Sequence, residues 1–317
     1  MTDRTTLQAG ESVLFIDVKE REYLRALKPG GRISLHGGTL QAEQIIGLPE
    51  GSRIRTSNNM PYWVFRPTYA HLIPNLPRRA QVIYPKDTAI MLLWGDIFPG
   101  ASVVEIGAGP GSLAIALLRA IGPTGTLVTI ENREDHCAMA RENVARFFGE
   151  APNWTLQLGD AYEGIEPRNV DRLLMDVPEP WRVLPHAALA LRPGGVLVGY
   201  SPTVIQVKSL VDALRASSTF TAIEILETLL RPWHMKDLSA RPEHRMIAHT
   251  GFLVFARRTA VQPSLTEPSL TEPSVTAPST TDLSETDLSE TDLSETEPLE
   301  LEPSPEDTLQ PPPAEPE

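Results

Sequence analysis

The stretch that decides the fold covers residues 104–113 and reads Val104-Glu105-Ile106-Gly107-Ala108-Gly109-Pro110-Gly111-Ser112-Leu113. It begins as an apolar strand, continues into a glycine-rich turn and leads into a helical pattern. Glycine lets the backbone approach a bulky ligand closely, and the N–H groups at the start of the following helix point toward that ligand. The stretch therefore predicts a pocket for a nucleotide-like cofactor.

About seventy residues later, a second apolar strand ends in the segment Asp176-Val177-Pro178-Glu179-Pro180-Trp181. This segment places the carboxylate of Asp176 at the end of the strand, and its two prolines stiffen the loop that follows. Trp181 has two possible positions, either in the ordinary core or in a wall of the pocket. Together with the glycine turn, the segment indicates a cofactor pocket with an acid beside it that handles a nucleobase.

Around these two segments, apolar strands alternate with helical patterns. The strands are predicted at residues 102–106, 126–130, 173–176 and 196–200, and the helices at 112–121, 134–148 and 204–216. This alternation predicts a parallel sheet with helices on both faces, the Rossmann-like arrangement of an α/β protein. Residues 220–230 and 250–257 are predicted as two later strands that close the sheet as an antiparallel hairpin.

Residue pattern and composition divide the chain into three regions. Residues 1–75 contain short β-type runs at 13–16, 31–35 and 62–65, bounded by Gly, Pro and Asn, which predict a small N-terminal β-domain. Residues 76–258 carry the α/β pattern. Residues 259–317 consist of repeats rich in Pro, Ser, Thr and acidic residues, a composition that is typical of a disordered tail.

The net charge of −13 comes from this acidic tail. Residues 262–317 hold 15 acidic and no basic residues, so the 28 basic residues of the whole chain face 41 − 15 = 26 acidic ones in residues 1–261. The part expected to fold is thus close to neutral, at +2. Such a body can still carry a basic face, so charge alone does not decide whether the protein binds nucleic acid.

Several classes of protein are disfavoured by composition. The single cysteine, Cys137, cannot form an internal disulfide framework, and its helical surroundings predict that it is buried. The seven histidines are scattered without the spacing of a metal site, so no bound metal is expected. No apolar run reaches the roughly 20 residues that span a bilayer, and the first residues lack the apolar core of a signal peptide. The cytoplasm is the expected compartment.

Two carboxylates after the glycine turn narrow the choice of cofactor. Glu131 lies 20 residues beyond Gly111, at the end of the next predicted strand, where a carboxylate can accept both ribose hydroxyls of an adenosine. Asp160 follows a third strand and could accept a hydrogen bond from the adenine amine. NAD would use the same ribose contact, but the chain has no second strand and glycine turn for a dinucleotide. S-adenosylmethionine is therefore the better match.

The combination of motifs resembles one family, the tRNA (adenine-58-N1)-methyltransferases of the prokaryotic, single-subunit type, from about residue 10 to residue 258. In chain order, the motifs that carry the resemblance are Tyr84-Pro85-Lys86-Asp87, the glycine turn, the segment that begins at Asp176, Tyr200-Ser201-Pro202-Thr203 followed by Gln206, Arg241-Pro242, and His249-Thr250-Gly251-Phe252. The resemblance implies a class I S-adenosylmethionine-dependent methyltransferase that methylates N1 of an adenine in the T-loop of tRNA. It also implies a homotetramer.

The resemblance makes Asp176 the catalytic residue, because the family's catalytic acid opens this segment. A carboxylate that accepts a hydrogen bond from the N6 amine of adenine would push electron density toward N1 and stabilise the positive charge that develops there. Tyr84 could stack on or orient the flipped base. Asp176 is also expected to face the sulfonium of the cofactor. The complete set of expected cofactor-binding residues is Gly107, Gly109, Pro110, Gly111, Ser112, Leu113, Glu131, His136, Asp160 and Asp176.

Basic residues interleaved with aromatic ones suggest where tRNA would bind, since they suit phosphate contacts and base stacking. The candidates are Arg66, Arg78, Arg79, Lys86 and the Arg231–Arg245 region with Trp233, His234 and Lys236. For each of them, an ordinary solvated surface is an equally good explanation. For His136 and His249, positions in the site and outside it both stay open.

The residues leave two alternative functions open. A protein isoaspartyl methyltransferase has a similar cofactor half, but would not explain the 176–181 segment or the N-terminal β-domain. A non-catalytic tRNA-binding subunit is the other alternative, although such a partner would not need the glycine turn or Asp176. Pro110 stands where members of the resembled family commonly have serine, so contacts of the turn could differ.

Overall fold

The computed structural model describes residues 5–77 and 81–261. In its N-terminal part, a four-stranded antiparallel sheet has the order β2-β1-β6-β5, and β3 and β4 form a separate hairpin. The strands are β1 (Ser12–Asp17), β2 (Glu22–Ala26), β3 (Arg32–Leu35), β4 (Gly38–Gln41), β5 (Arg53–Arg55) and β6 (Pro61–Phe65). Along β6, Tyr62 and Val64 are buried while Trp63 is exposed, so one face of this sheet covers a small apolar core.

A short helical connection leads from this sheet to the main body. Helix α1 (Tyr69–Leu72) continues into a 3₁₀ turn (Ile73–Asn75), and helix α2 (Pro85–Trp94) follows. Tyr84 is the N-cap of α2 and Pro85 is its first residue, a position where the missing N–H of proline costs nothing. The start of α2 is thereby fixed directly after Tyr84.

The main body is built on a seven-stranded sheet with the order β12-β15-β11-β10-β7-β8-β9. Its strands are β7 (Ser102–Ile106), β8 (Thr126–Glu131), β9 (Trp154–Leu158), β10 (Val170–Met175), β11 (Leu191–Ser201), β12 (Phe220–Glu227) and β15 (Phe252–Arg258). The connecting helices are α3 (Ser112–Ile121), α4 (Glu134–Phe147), α5 (Leu184–Ala190) and α6 (Val204–Ala216). The five strands from β9 to β11 are parallel, whereas β15 runs antiparallel to both β11 and β12.

The strand order reverses between β7 and β10, which are direct neighbours in the sheet. In sheets of this kind, ligands bind outside the carboxyl ends of the strands at such a reversal. The glycine turn follows β7, and Asp176 follows β10. The topology therefore brings together two segments that lie about seventy residues apart in the sequence.

Between β12 and β15 the chain leaves the sheet in an excursion, which we define as residues 229–247. It contains the two-stranded hairpin of β13 (Trp233–Lys236) and β14 (Ser239–Pro242). Many of its apolar side chains are exposed: Leu229, Leu230, Trp233, Met235, Leu238, Met246 and Ile247.

The predicted α/β fold with a small N-terminal β-region is confirmed, and Cys137 is buried as predicted. The domain limits at residues 75 and 258 stay a prediction. The disordered tail predicted for residues 259–317 lies, apart from its first three residues, outside the described part of the chain. Within that part, no helix is long and apolar enough to cross a membrane, and no group of three or more acidic, histidine or cysteine side chains is arranged to hold a metal ion.

Candidate active site

A cavity of about 840 Å³ opens at the carboxyl ends of the parallel strands. It is lined by the ends of β7, β8, β10 and β11, by the residues before α2, and by residues that precede β15. The side chains and backbone that line it include Gln81, Val82, Tyr84, Gly107, Gly109, Glu131, His136, Asp160, Tyr162, Asp176, Pro178, Glu179, Tyr200, Pro202, Gln206, His249 and Thr250. The two segments that the sequence analysis singled out thus share one cavity.

The glycine turn needs glycine for two different reasons. Gly107 (φ 88°), Gly109 (φ 48°) and Gly111 (φ 82°) all have positive φ, which side chains other than glycine adopt at a cost. At Gly107 space is also lacking, since a Cβ atom there would lie 2.3 Å from the carbonyl oxygen of Asp176. The glycine turn and the segment that begins at Asp176 are therefore in direct backbone contact.

Asp176 is half-buried in the wall of this cavity, and its backbone N–H donates to the carbonyl of Ile106 at 2.9 Å. Among the described residues no group donates a hydrogen bond to its carboxylate. Burial raises the pKa of Asp176 to about 7, and the negative charge of Glu131 acts in the same direction. An acceptor without a donor, set in a cavity, is suited to receive a donor from a ligand.

Near the glycine turn lies a second carboxyl group, that of Glu105, which the sequence analysis did not include among the predicted site residues. Glu105 on β7 is fully buried, and its Oε2 accepts a hydrogen bond from the Thr129 hydroxyl at 2.6 Å, while its Oε1 has no partner in the described structure. Burial raises the pKa of Glu105 to about 8, and the charges of Asp176 and Glu131 act in the same direction. The negative charge of Glu131, together with that of Asp176 when it is ionised, makes this region favourable for a cationic ligand.

The raised pKa of Glu105 predicts how stability depends on pH. Between its unfolded-state value, about 4.3, and its folded-state value, the folded protein holds this proton more tightly, so the free energy of unfolding falls as pH rises. Glu105→Gln removes the titrating group. We expect the variant to exceed the parent in free energy of unfolding by about 4 kcal/mol more at pH 9 than at pH 5, as measured by urea titration. The same change at the exposed Glu150 is the control, and an equal gain at both pH values would contradict the expectation.

Glu131 braces the glycine turn. Its Oε2 accepts from the backbone N–H groups of Ala108 at 3.0 Å and Gly109 at 3.2 Å, and its Oε1 accepts from the N–H of Arg133 at 3.0 Å. A carboxylate has about four acceptor positions, so one is left, on Oε1. The arrangement supports one direct ribose contact, rather than the two that the sequence suggested.

Two further candidates for the cofactor lie beside Glu131. His136 is buried against the cavity, its Nδ1 lies 3.5 Å from Oε2 of Glu131, and its Nε2 has no hydrogen-bond partner in the described structure. Asp160 lines the cavity and uses Oδ1 to accept from the N–H of Tyr162 at 2.8 Å, which closes a turn. Both therefore offer unused polar atoms to a ligand.

The remaining residues of the predicted cofactor set, Pro110, Gly111, Ser112 and Leu113, are not among those that line the cavity. The carbonyl of Pro110 accepts from the side-chain amide of Asn143 at 2.9 Å, and Gly111 packs against the backbone of Ala140 on α4. The side chains of Ser112 and Leu113 are buried in the interior. Their contribution to a ligand is therefore through the backbone at the start of α3, and their role in binding stays a prediction.

Tyr84, Tyr200 and His249 also line the cavity. The hydroxyl of Tyr200 donates to the carbonyl of Thr250 at 2.6 Å. His249 has acceptors at both ring nitrogens: Nδ1 faces Oε1 of Glu227 at 2.7 Å, and Nε2 faces the carbonyl of Pro202 at 3.0 Å. These two contacts raise the pKa of His249, because only the doubly protonated ring can donate to both.

Lys86 was predicted to contact tRNA, and this prediction was wrong. Its ammonium group is buried, where it pairs with Asp87 at 2.7 Å and donates to the carbonyl of Thr228 and the hydroxyl of Thr250, each at 2.7 Å. The cause is long-range, since two partners of this helix residue come from chain segments 142 and 164 residues away. Lys86 thus joins the start of α2 to the chain segments on either side of the excursion.

The other residues predicted to contact tRNA differ in how they are placed. Arg66 is engaged within the protein, with ion pairs to Glu11 at 3.1 Å and Glu50 at 3.0 Å, so its charge is neutralised. Arg78 and Arg79 lie outside the described residues. Trp233 and Lys236 are exposed on the excursion, as the prediction requires.

Trp181 is half-buried and does not line the cavity. Of the two positions considered for it, the pocket wall is therefore not the one that the structure shows.

The chain is similar to known tRNA methyltransferases. Residues 62–241 match the family model described as the tRNA methyltransferase complex GCD14 subunit, and residues 6–54 match the TrmI-like N-terminal model. A curated relative is tRNA (adenine(58)-N(1))-methyltransferase TrmI of Thermus thermophilus, 37% identical over 247 residues, which span 78% of this chain and 96% of that protein.

Two solved structures have the same architecture. One is tRNA (m1A58) methyltransferase TrmI from Aquifex aeolicus, with a TM-score of 0.72 and 30% identity, covering 81% of this chain and all of that one. The other, from Thermotoga maritima, is described as a SAM-dependent O-methyltransferase and has a TM-score of 0.77 and 30% identity, covering 82% of this chain and 97% of that one. Both similarities extend well beyond the cofactor half of the fold.

Proposed function

This chain belongs to the GCD14/TrmI family of tRNA methyltransferases, and from that premise we propose that it transfers a methyl group from S-adenosylmethionine to N1 of adenine 58 in the T-loop of tRNA. One observation carries the proposal. The carboxylate of Asp176, which has no donor among the described residues, lines the same cavity of about 840 Å³ as the glycine turn. A cofactor on the turn and a base beside Asp176 would meet within that cavity.

The residues on the cofactor side fit S-adenosylmethionine. Glu131 and the ionised form of Asp176 make a negatively charged environment, and Glu105 and His136 each hold a buried polar atom without a partner in the described structure. S-adenosylmethionine brings a positive sulfonium and an ammonium group, and it supplies a methyl group on a sulfur that is already a good leaving group. Gly107 and Gly109 would let it lie against the backbone, and Glu131, His136 and Asp160 would hold its adenosine.

Asp176 supplies what the chemistry of the acceptor requires. Adenine N1 is a weak nucleophile, and methylation makes the ring cationic. A carboxylate that accepts from the N6 amine raises electron density at N1 and stabilises the cation as it forms, an effect that is strong where water is excluded. Guanine presents an oxygen acceptor in place of this amine, so the same carboxylate would repel it. Asp176 would thus provide both rate and selection of adenine.

Tyr84 is the proposed orienting residue for the base. It is half-buried, lines the cavity, and is held at the N-cap of α2, whose next residues are fixed by the buried Lys86–Asp87 pair. A base in the T-loop must leave its stack before it can react, at a cost of a few kcal/mol. A tyrosine ring fixed in the same cavity as Asp176 would offset part of that cost by stacking.

A direct assay tests the function. The purified protein is incubated with an unmodified tRNA transcript and S-adenosylmethionine labelled in the methyl group, and the RNA is digested to nucleosides. We expect the label in N1-methyladenosine, and none when the transcript carries guanine at position 58. Label in protein would favour an isoaspartyl methyltransferase, and no label at all would favour a non-catalytic tRNA-binding subunit.

We also propose that the protein works in the cytoplasm as a homotetramer, in which the excursion forms subunit contacts. Monomeric proteins seldom expose large continuous apolar surfaces, and in the described structure the excursion exposes Leu229, Leu230, Met235 and Leu238 close together in sequence. Contacts from more than one subunit would also give tRNA a broader surface, with Trp233 and Lys236 at hand.

The double variant Met235→Glu, Leu238→Glu is expected to reduce the mass measured by light scattering from that of a tetramer to that of a smaller species, because two charges would have to be buried in the interface. The control is Val18→Glu, which changes an exposed apolar residue in the N-terminal sheet region and should leave the mass unchanged. A double variant that stays tetrameric would show that the subunits meet elsewhere.

A further inference from the structure

The loop that follows β10, residues 176–181, is held in place from several sides. Its first N–H, that of Asp176, donates to the carbonyl of Ile106 at 2.9 Å. The N–H of Glu179 donates to the hydroxyl of Tyr162 at 3.1 Å. Between these two points the carbonyl of Pro178 accepts a hydrogen bond from the side chain of Gln206 at 2.9 Å. The position of the Asp176 carboxylate therefore depends on groups from three other parts of the chain.

The amide of Gln206 has a defined orientation. Its Nε2 faces the carbonyl of Pro178, which can only accept, so this end must be the NH₂ group. Its Oε1 accepts from the hydroxyl of Thr203 at 2.7 Å, and that hydroxyl in turn caps the N-terminus of α6 by accepting from the N–H of Gln206 at 3.3 Å. Both ends of the amide are thus in use.

The start of α6 is itself anchored. The carbonyl of Pro202, directly before Thr203, accepts from Nε2 of His249, whose Nδ1 is held by Glu227 at the end of β12. This arrangement ties the first turn of α6 to the outer strands of the sheet. Gln206 consequently reaches the loop from a fixed support, as a residue that sets geometry must.

We propose that Gln206 is a positioning residue for Asp176: by holding the Pro178 carbonyl, it sets where the carboxylate meets the N6 amine of the target base. This inference rests on the proposed function. Gln206 lines the cavity after the end of β11, whereas Glu131 and Asp160 lie at the ends of β8 and β9, toward the other end of the row of parallel strands, so we assign its effect to the base rather than to the cofactor. A displacement of about 1 Å at a reacting group costs on the order of 10²-fold in rate.

Two variants whose new side chains are close to glutamine in size test this role. Gln206→Met removes the donor, and Gln206→Glu places a carboxylate against the Pro178 carbonyl. We expect kcat for tRNA methylation to fall about 30-fold in the first and about 100-fold in the second. The Kd for S-adenosylmethionine and the KM for tRNA should stay within about twofold of the parent, a separation that general damage to the fold would not produce. Lys208→Met, an exposed change on the same helix, is the control that should keep parental values.

The Gln206→Glu variant adds a readout in pH. When its new carboxyl group is protonated, the O–H can again donate to the Pro178 carbonyl, so the ratio of the variant's kcat to the parent's should rise as pH falls from about 8 to about 6. Asp176, Glu179 and His249 line the same cavity in both proteins, and taking the ratio compensates for pH effects that the two proteins share.

Three results would overturn the inference: parental kcat in Gln206→Met, a kcat ratio for Gln206→Glu that does not change with pH, or losses of melting temperature and cofactor affinity that match the loss of kcat. None of these would affect the proposed function. That proposal fails instead if the parent protein itself transfers no methyl group to tRNA.

Discussion

Asp176→Ala is expected to lower methyl transfer to tRNA by about 10³-fold while the Kd for S-adenosylmethionine stays within about threefold of the parent. The reason is that the carboxylate has no structural partner to lose: no described group donates to it, and the loop that carries it is held by backbone contacts. Single-turnover transfer assays with saturating tRNA measure the rate, and calorimetric titration measures cofactor binding.

Asp176→Asn separates charge from hydrogen bonding. Its amide oxygen can still accept from the N6 amine but carries no negative charge, so we expect a rate between those of the parent and the alanine variant. Asp212→Ala, which removes an exposed carboxylate on α6, is the control and should behave as the parent does. If rate and cofactor affinity fall by the same factor, Asp176 belongs to the cofactor site and the catalytic role is lost.

The rate of methyl transfer should depend on pH because the carboxylate of Asp176 must be ionised to act. Since the pKa of Asp176 is raised to about 7, its charged form grows as pH rises through neutrality. For the parent, kcat/KM should therefore increase between about pH 6 and about pH 8. This rise should be absent from the residual rate of Asp176→Ala.

The second large effect is expected at Gly107. In Gly107→Ala the new Cβ atom would lie 2.3 Å from the carbonyl oxygen of Asp176, and a non-glycine residue would have to keep φ at 88°. Backbone atoms cannot give way as a flexible side chain does, so β7 and β10 must shift relative to each other. We expect a loss of about 3 kcal/mol or more in the free energy of unfolding, together with loss of measurable cofactor binding.

Two other glycines separate the causes. Gly109→Ala has open space around its Cβ and a φ of 48°, so the protein should fold, with cofactor binding weakened by a methyl group at the cavity. Gly149→Ala, where φ is 100° and no atom lies within 4 Å, carries the backbone strain alone and lies outside the cavity. If Gly107→Ala were no less stable than Gly149→Ala, the close approach would not matter. Thermal unfolding and calorimetric titration provide both measurements.

The sequence predicted the parts of this site that depend on local pattern and on sheet topology. An apolar run that ends in glycines, and another that ends in Asp176, must both deliver their last residues to the same edge of a parallel sheet. What could not be predicted depends on long-range partners. Lys86 looks like a surface cation in its helix, and only the packing of residues 228 and 250 against it makes it a buried ion pair.

Contacts with distant parts of the chain also limited what could be predicted for Glu131, Glu105 and Gln206. The position of Glu131 after its strand predicted a carboxylate at the cavity, but not that backbone N–H groups of Ala108, Gly109 and Arg133 would occupy three of its about four acceptor positions. Glu105 stands in an apolar run, and nothing local shows that one of its oxygens lacks a partner. Gln206 appeared only as a member of a motif, because its contact with Pro178 joins two segments 28 residues apart.

The buried pair of Lys86 and Asp87 has a consequence for how the protein is made. A chain emerging from the ribosome completes its glycine turn and Asp176 when little more than half of its length has been synthesised. Thr228 and Thr250, which satisfy Lys86 and Asp87, and β15, which lies between β11 and β12, come only later. A nascent chain could thus form its cofactor side well before the side that receives the base, and methylation would have to wait for the last strand.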